Sequence, residues 1–326
     1  MKEESKLPSF EKKKDKPSLS SLVLKSLATL GLFFLIALSV YWMFGRVAFE
    51  HLDRSELFSQ VIQGHSDSRR SSSLEWVSIL QKAESEDDLD VLRKYLPTPG
   101  QSLALVKELN SIQVSSRPDP ETVSGILGIL GFSYSSAAQD AMVEFLRKNH
   151  TDPSYERASL FAVLGLGRRS PDSILVLDLY RDILDKGLGE SDLLKTIAYV
   201  VGFHGEGELS SEEWSLKQAL LNELLTNTNK DVRLNAALST MRLEMNSEPA
   251  EKVILDLLRA LSLDLQKSLT EERKSDLVTR RDAYLASIKI TSSFESEEAQ
   301  AILVEISKAH PDLKIRQAAM NAVAER

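Results

Sequence analysis

Three glycines stand 37 residues apart, Gly128, Gly165 and Gly202, each near the end of an apolar run: SGILGILGF, FAVLGLG and IAYVVGF. A recurrence of that length is the mark of a chain built from one repeated supersecondary unit. Glycine at such a place lets a helix end tightly or lets a neighbour come close. Ala158, Ala198, Ala236 and Ala318 mark the same "A" helices at separations of 40, 38 and 82, the last being two units. Asp119-Pro120-Glu121 and Asp152-Pro153-Ser154 open helices alike, with Asp as N-cap and Pro in the first turn.

Between the A helices lie "B" helices at 137–149, 173–187, 215–227, 250–261 and 298–310, with apolar residues at helical spacing, such as Ile174, Leu177 and Leu184. A pair of short amphipathic helices cannot bury both apolar faces alone, whereas stacked pairs form a continuous core. The expected fold is therefore all-α, an α-solenoid with a unit of 37–41 residues over 119–326. The charged stretch 262–276 disturbs the register as an extended helix or insertion before Tyr284. Residues 72–118 form the N-terminal part of the solenoid, with helices near 72–84, 87–96 and 100–113 and a break at Pro97-Thr98-Pro99-Gly100. No Asn-Gly or Asp-Gly pair signals a hairpin, and aromatics are 6% of the chain.

Residues 26–45 (SLATLGLFFLIALSVYWMFG) are twenty residues without a charge, enough for a helix of about 30 Å to cross a bilayer core. Tyr41, Trp42 and Phe44 cluster at the far end, and Lys25 closes the near one. The run is too long for a signal-peptide core and lacks a small-x-small cleavage site, so it reads as a transmembrane signal anchor. Residues 1–25 form a disordered tail with a net charge of +3, leaving −11 on the remainder. Basic residues stay cytoplasmic, so the main domain is expected outside the cytoplasm, in the periplasm of a bacterial inner membrane. Residues 46–71 are a juxtamembrane helix and linker, the flexible part being GHSDSRRSSS at 64–73.

The acidic domain opposes a phosphate backbone, so nucleic acid is not an expected partner. The basic pairs Arg168-Arg169 and Arg280-Arg281 are the local exceptions and read as solvated. With no Cys, the chain has no disulfide framework, thiolate metal site or Cys nucleophile.

Two segments, Asp231-Val232-Arg233-Leu234-Asn235-Ala236-Ala237-Leu238 and Ile315-Arg316-Gln317-Ala318-Ala319-Met320, resemble the first helix of HEAT-like (armadillo-type) repeats, an aliphatic-Arg pair followed by small residues. Tyr155-Glu156-Arg157-Ala158-Ser159-Leu160 is a looser copy with the Arg displaced. The resemblance implies a curved superhelix used mainly for protein–protein contact, with no single partner specified. Tetratricopeptide repeats, with a period of about 34 residues, show a Trp/Leu-Gly/Tyr pattern that is missing here. Di-iron hydroxylases of HEAT-like architecture carry His-Glu pairs, but the five His are followed by Leu52, Ser66, Thr151, Gly205 and Pro311.

Smaller motifs add no chemistry. His204-Gly205-Glu206-Gly207-Glu208 holds three potential metal ligands, but in a Gly-rich turn with no second His, and reads as an inter-helix loop. Gly165-Leu166-Gly167 and Gly187-Leu188-Gly189 follow no strand and are helix ends rather than phosphate loops. Asn149-His150-Thr151 is a formal glycosylation sequon. Trp76 and Trp214 fall in amphipathic helices as core or groove-edge residues, and the acidic runs at 86–88 and 297–298 fall at helix starts. No catalytic, cofactor-binding or metal residue is assigned. The expected function is a membrane-anchored, extracytoplasmic scaffold for an unknown protein partner. The alternative is a repeat-fold enzyme of lyase or isomerase type acting on an exported protein or small molecule, which bound metal or a ligand-induced thermal shift would favour.

Overall fold

The computed structural model describes residues 52–114, 119–169, 173–186, 192–203, 209–245, 247–263 and 281–325. The chain divides into residues 1–53 and 54–326. Of the first unit only Leu52 and Asp53 are described, so the expected tail at 1–25 and span at 26–45 lie outside the described residues. Among the described residues no helix is long and apolar enough to cross a membrane.

The described residues of 54–326 are mainly helical, with no strand among them. Fifteen α-helices follow in order: α1 (Arg54–Gln63), α2 (Ser66–Ser85), α3 (Leu89–Tyr95), α4 (Pro99–Gln113), α5 (Pro120–Leu130), α6 (Ser136–Asn149), α7 (Glu156–Arg169), α8 (Ile174–Asp185), α9 (Asp192–Val200), α10 (Ser211–Leu225), α11 (Lys230–Arg242), α12 (Glu248–Leu263), α13 (Arg281–Thr291), α14 (Glu297–Ala309) and α15 (Leu313–Ala324). A 3-10 turn, Pro153–Tyr155, leads into α7. The expected A helices are α5, α7, α9, α11, α13 and α15, and the B helices are α6, α8, α10, α12 and α14.

Contacts sort these helices by type. Each A helix packs on the A helix before it, from α2 through α5, α7, α9, α11 and α13 to α15, and B helices touch B helices from α4 to α6, α8 and α10. The starts of α5, α7, α9 and α11 are 36, 36 and 38 residues apart. Among the described helices, substantial contacts join only those within three places of each other in the chain.

Glycine and serine set how closely the A helices approach. A Cβ on Gly165 would lie 2.6 Å from the Gly131 Cα and 2.7 Å from Met142 Sδ, so α5 and α7 meet backbone to backbone. Gly128 accepts Val77 of α2, Gly167 accepts Val200 of α9, and Gly202 accepts Ser239 of α11. Ser239 also donates to the carbonyl oxygens of Ala198 (2.6 Å) and Tyr199 (3.2 Å), tying α11 to the end of α9. Ala158, Ala198 and Ala236 are fully buried at these contacts. The expectation that the 37-spaced glycines admit a neighbour therefore holds at Gly128, Gly165 and Gly202.

The helix starts are built in two ways. Where the cap is described, A helices begin with a carboxylate or carboxamide: Asp119, Asp152 (for the 3-10 turn), Asn229 and Asp312. B helices begin with serine: Ser135, Ser173, Ser210 and Ser296. The arginines that carry the HEAT resemblance reach back six residues from the A helix to close the preceding loop. Arg233 donates to the Asn227 carbonyl at 2.6 Å, and Arg316 to the His310 carbonyl at 3.2 Å. That satisfies loop carbonyls that would otherwise lack a partner in the chain.

Asp312 accepts from the amides of Lys314 and Ile315 and pairs with Arg281 at 2.8 Å. Burial raises its pKa, but the backbone amides and Arg281 outweigh that and hold the carboxyl below the ordinary aspartate range. A depressed folded pKa contributes stability above the unfolded value, lost as pH falls through the folded one. Asp312→Asn is therefore expected to flatten the stability loss below about pH 4 relative to the unsubstituted chain. Urea midpoints taken from pH 7 to pH 2 measure it.

The linker expected at 64–73 is corrected: only Gly64 and His65 interrupt the helices, and α2 starts at Ser66. Its serines are helix-compatible because they bond locally and pack tightly. Ser73 Oγ donates to the Arg70 carbonyl (3.0 Å) and lies where Gly125 of α5 has no side chain. Ser72 bonds Gln60 of α1, and Arg69 pairs with Glu108 of α4. Tertiary partners override the weak local signal.

Two helix ends close on left-handed residues that are not glycine, Asp87 (φ 53°) and Glu244 (φ 55°). After Glu244 the Met245 amide donates back to Thr240 O at 3.1 Å, the bond of a Schellman turn. Glu244→Gly removes the Cβ penalty at this φ and is expected to raise stability by about 0.5–1 kcal/mol, read from the urea midpoint.

Candidate functional site

One edge of the helical unit collects the C-terminal ends of the A helices and the starts of the B helices, among which Ser135, Ser210 and Ser296 cap theirs. Two arginine–aromatic clusters stand on it, each made in the same way. A phenylalanine follows the glycine that closes one A helix, and an arginine from the last turn of the next A helix in the row lies over it.

In the first cluster Phe132 follows Gly131 at the end of α5, and the Arg168 guanidinium lies 4.2 Å from its ring centroid. Arg168 also makes a two-pronged bond to Glu84 of α2, Nε and Nη2 each 2.7 Å from a carboxylate oxygen. A cleft of about 160 Å³ opens beside this pair, lined by Leu92 and Leu96 near the short α3 and by Phe132 and Tyr134. Tyr134 is 84% exposed.

In the second cluster Phe203 follows Gly202 after α9, and Arg242 ends α11. Its guanidinium lies 4.6 Å from the Phe203 ring and 5.4 Å from that of Tyr199. The two rings meet edge to face at 4.9 Å. The buried Lys217 of α10 fixes the base of the cluster by donating to the Phe203 carbonyl. Burial lowers the Arg242 pKa from the ordinary arginine value, with Tyr199 acting the other way. Its only polar contact among the described residues is a long one, 3.4 Å to Tyr199 O. The first turn of α10 holds Glu212 and Glu213. Glu213 turns back to cap the Ser210 amide at 2.9 Å.

A guanidinium stacked on a ring is held flat with its donor edge free, which suits planar, bidentate capture of a carboxylate. Tyrosine and arginine are also the side chains on which binding energy concentrates at protein contacts.

The motifs weighed in the sequence fall elsewhere or are used structurally. Arg281 is bound by Asp312, as Arg168 is by Glu84, whereas Arg280 lies outside the described residues. His204 to Glu208 and Gly187 to Gly189 also lie outside them. Among the described residues there is no group of three or more His, Cys, Asp or Glu able to hold a metal ion. Gly165 and Gly167 are inter-helix contacts. The Asn149 amide is spent on its own helix, donating to Phe145 O at 3.0 Å. Trp76 is fully buried, and Trp214 is 37% exposed. Of the acidic runs, Asp88 caps α3 as expected, whereas Glu86 is the C-cap of α2 and Glu298, in the first turn of α14, pairs with Arg259 of α12.

The clusters themselves were not found from the sequence. A signal was present: Gly-Phe occurs at 131–132 and 202–203, with Arg168 and Arg242 following each Phe by 36 and 39 residues, one repeat later. No protein-family model matches the chain, and no curated protein is significantly similar to it.

Proposed function

We propose that the chain is a membrane-anchored scaffold, a HEAT-like α-solenoid held outside the cytoplasm that binds another protein along its helix-end surface. The observation that carries this reading is the packing of like helix on like helix, A on A and B on B, with glycine at successive A contacts. That pattern is what a one-dimensional stack of helix pairs requires, and such stacks offer long binding surfaces. The arginine that folds back from Val232-Arg233 and from Ile315-Arg316 supports the HEAT-like assignment, since the same residue does the same work in two units.

The anchor rests on the uncharged run at 26–45, and its orientation on the lysines at 12, 13, 14, 16 and 25 before it. The bacterial inner membrane, with the helical unit in the periplasm, is the compartment proposed. Tethering raises the effective concentration of an encounter at the membrane. Reporter fusions after Arg326 test the orientation. Alkaline phosphatase, active only outside the cytoplasm, is expected to be active there. Fluorescence from a cytoplasm-only green fluorescent protein at the same place would contradict it.

A further inference from the structure

We propose that the Glu84–Arg168 ion pair is a reversible strap across three successive A helices, holding one curvature of the stack and one width of the cleft beside it. This goes beyond the scaffold reading and rests only on the packing of A helix on A helix, so neither the anchor nor the compartment enters it.

The pair differs from its neighbours in reach. The bonds from Ser239 to Ala198 and from Asn235 to Lys195 join adjacent A helices and span 41 and 40 residues. Glu84 of α2 and Arg168 of α7 lie 84 residues apart, and α5 packs between their helices. The guanidinium crosses the end of α5, 4.2 Å from the Phe132 ring centroid, and grips Glu84 through Nε and Nη2, each at 2.7 Å. A two-pronged bond fixes direction as well as distance. It therefore responds to two helix–helix angles at once, α2 on α5 and α5 on α7, where a bond between adjacent helices responds to one.

The joints it crosses are built to rock. α5 and α7 meet backbone to backbone at Gly131 and Gly165, and α2 sets Val77 against Gly128 and Ser73 against Gly125 of α5. Interlocking side-chain ridges key the angle between helices, and glycine contacts carry few of them. Arg168 follows Gly165 by three residues, and Phe132 follows Gly131 directly, so the strap closes just beyond the pivot. A rotation of about 10°, inside the usual scatter of crossing angles, moves a point three residues from a pivot by about 0.8 Å. Two such rotations stretch a 2.7 Å bond past hydrogen-bond range. Packed helices shift by small rotations of this kind in shear motions.

The strap is also weak enough to open. The Arg168 and Glu84 side chains are 24% and 43% exposed. An ion pair at such a surface shifts an equilibrium by about fivefold at most, and by less in high salt. Both side chains line the cleft together with Leu92, Leu96, Phe132 and Tyr134. Opening the strap therefore widens the cleft, and ionic strength sets the balance between the two forms.

The cysteine-free chain accepts a pair of spin labels at Ser71→Cys in α2 and Glu156→Cys in α7, both exposed and toward the helix ends away from the strap. Six and nine residues of helix separate them from Val77 and Gly165. About 10° at each joint then changes their separation by roughly 4 Å. Pulsed dipolar electron paramagnetic resonance on the full chain in mild detergent reads that distance. Raising sodium chloride from about 50 mM to about 1 M, where the Debye length is about 3 Å, should favour a second population displaced by that amount. Its ratio to the first is expected to rise about two- to fivefold. Glu84→Gln, at a half-exposed side chain, should show the raised ratio already at low salt and no further response. An unsubstituted chain whose distances ignore salt would overturn the proposal. A salt response of the same size in Glu84→Gln would overturn it as well, because the responding charges would then lie elsewhere.

Discussion

Trp76→Ala is expected to destabilise the N-terminal helices by roughly 3–5 kcal/mol, the usual cost of deleting a large buried aromatic side chain. Trp76 is 0% exposed in α2, and its indole N–H donates to the Tyr95 carbonyl at 2.7 Å, holding the end of α3 against α2. Alanine there leaves a cavity and removes that donor. Trp76→Phe keeps most of the volume and should cost about 1–2 kcal/mol through the hydrogen bond. The spatial pattern is the sharper expectation. Because substantial contacts join only nearby helices, the damage should not spread along the whole chain. Hydrogen exchange followed by mass spectrometry should show faster exchange in α1 to α5 and unchanged protection in α13 to α15. Uniform acceleration across all helices would mean a single global core instead.

Gly165→Val should cost about 3 kcal/mol or more, at the upper end for overpacking, because the atom it strikes is backbone. The added Cβ would sit 2.6 Å from the Gly131 Cα, and neither main chain can yield without separating α5 from α7. Gly165→Ala tests the sign. In an ordinary helix interior glycine to alanine gains up to about 1 kcal/mol. Here it should destabilise, whereas Gly100→Ala in the first turn of α4, with nothing within 4 Å of its Cβ, should stabilise. Urea unfolding followed by circular dichroism compares the three variants. A stabilised Gly165→Ala chain would remove the close α5–α7 contact from the account.

How far these features could be read in advance depends on where their cause lies. The A and B helices were legible because their signals are local: Asp119 before Pro120, and apolar residues at helical spacing in α8 and α12. The 37-residue recurrence of Gly128, Gly165 and Gly202 announced close approach, but not its partners, since Val77 and Ser239 lie tens of residues away. Residues 66–73 read as linker because Ser, Arg and Asp give a polar, low-propensity string. Their helix depends on Gln60, Glu108 and Gly125, none visible in a local window. The arginine–aromatic clusters were hidden for the same reason. Arg168 resembles any solvated basic residue until Phe132 and Glu84 are placed beside it, and Arg242 gains meaning only as its counterpart two repeats on.

Stacking of A helix on A helix is the claim on which the scaffold, the edge and both variants depend, and the cysteine-free chain allows it to be tested covalently. A Cβ on Gly128 would lie 3.5 Å from the Val77 Cβ, within the span of about 3.5–4.5 Å that a disulfide bridges. The full chain carrying Val77→Cys and Gly128→Cys should therefore close one intramolecular disulfide under mild oxidation, seen as the loss of two hydrogens in the intact mass. The chain carrying Val77→Cys and Met320→Cys, at opposite ends of the A row, should not. Failure of the first pair to close, or equal closure of the second within one chain, would contradict the stack.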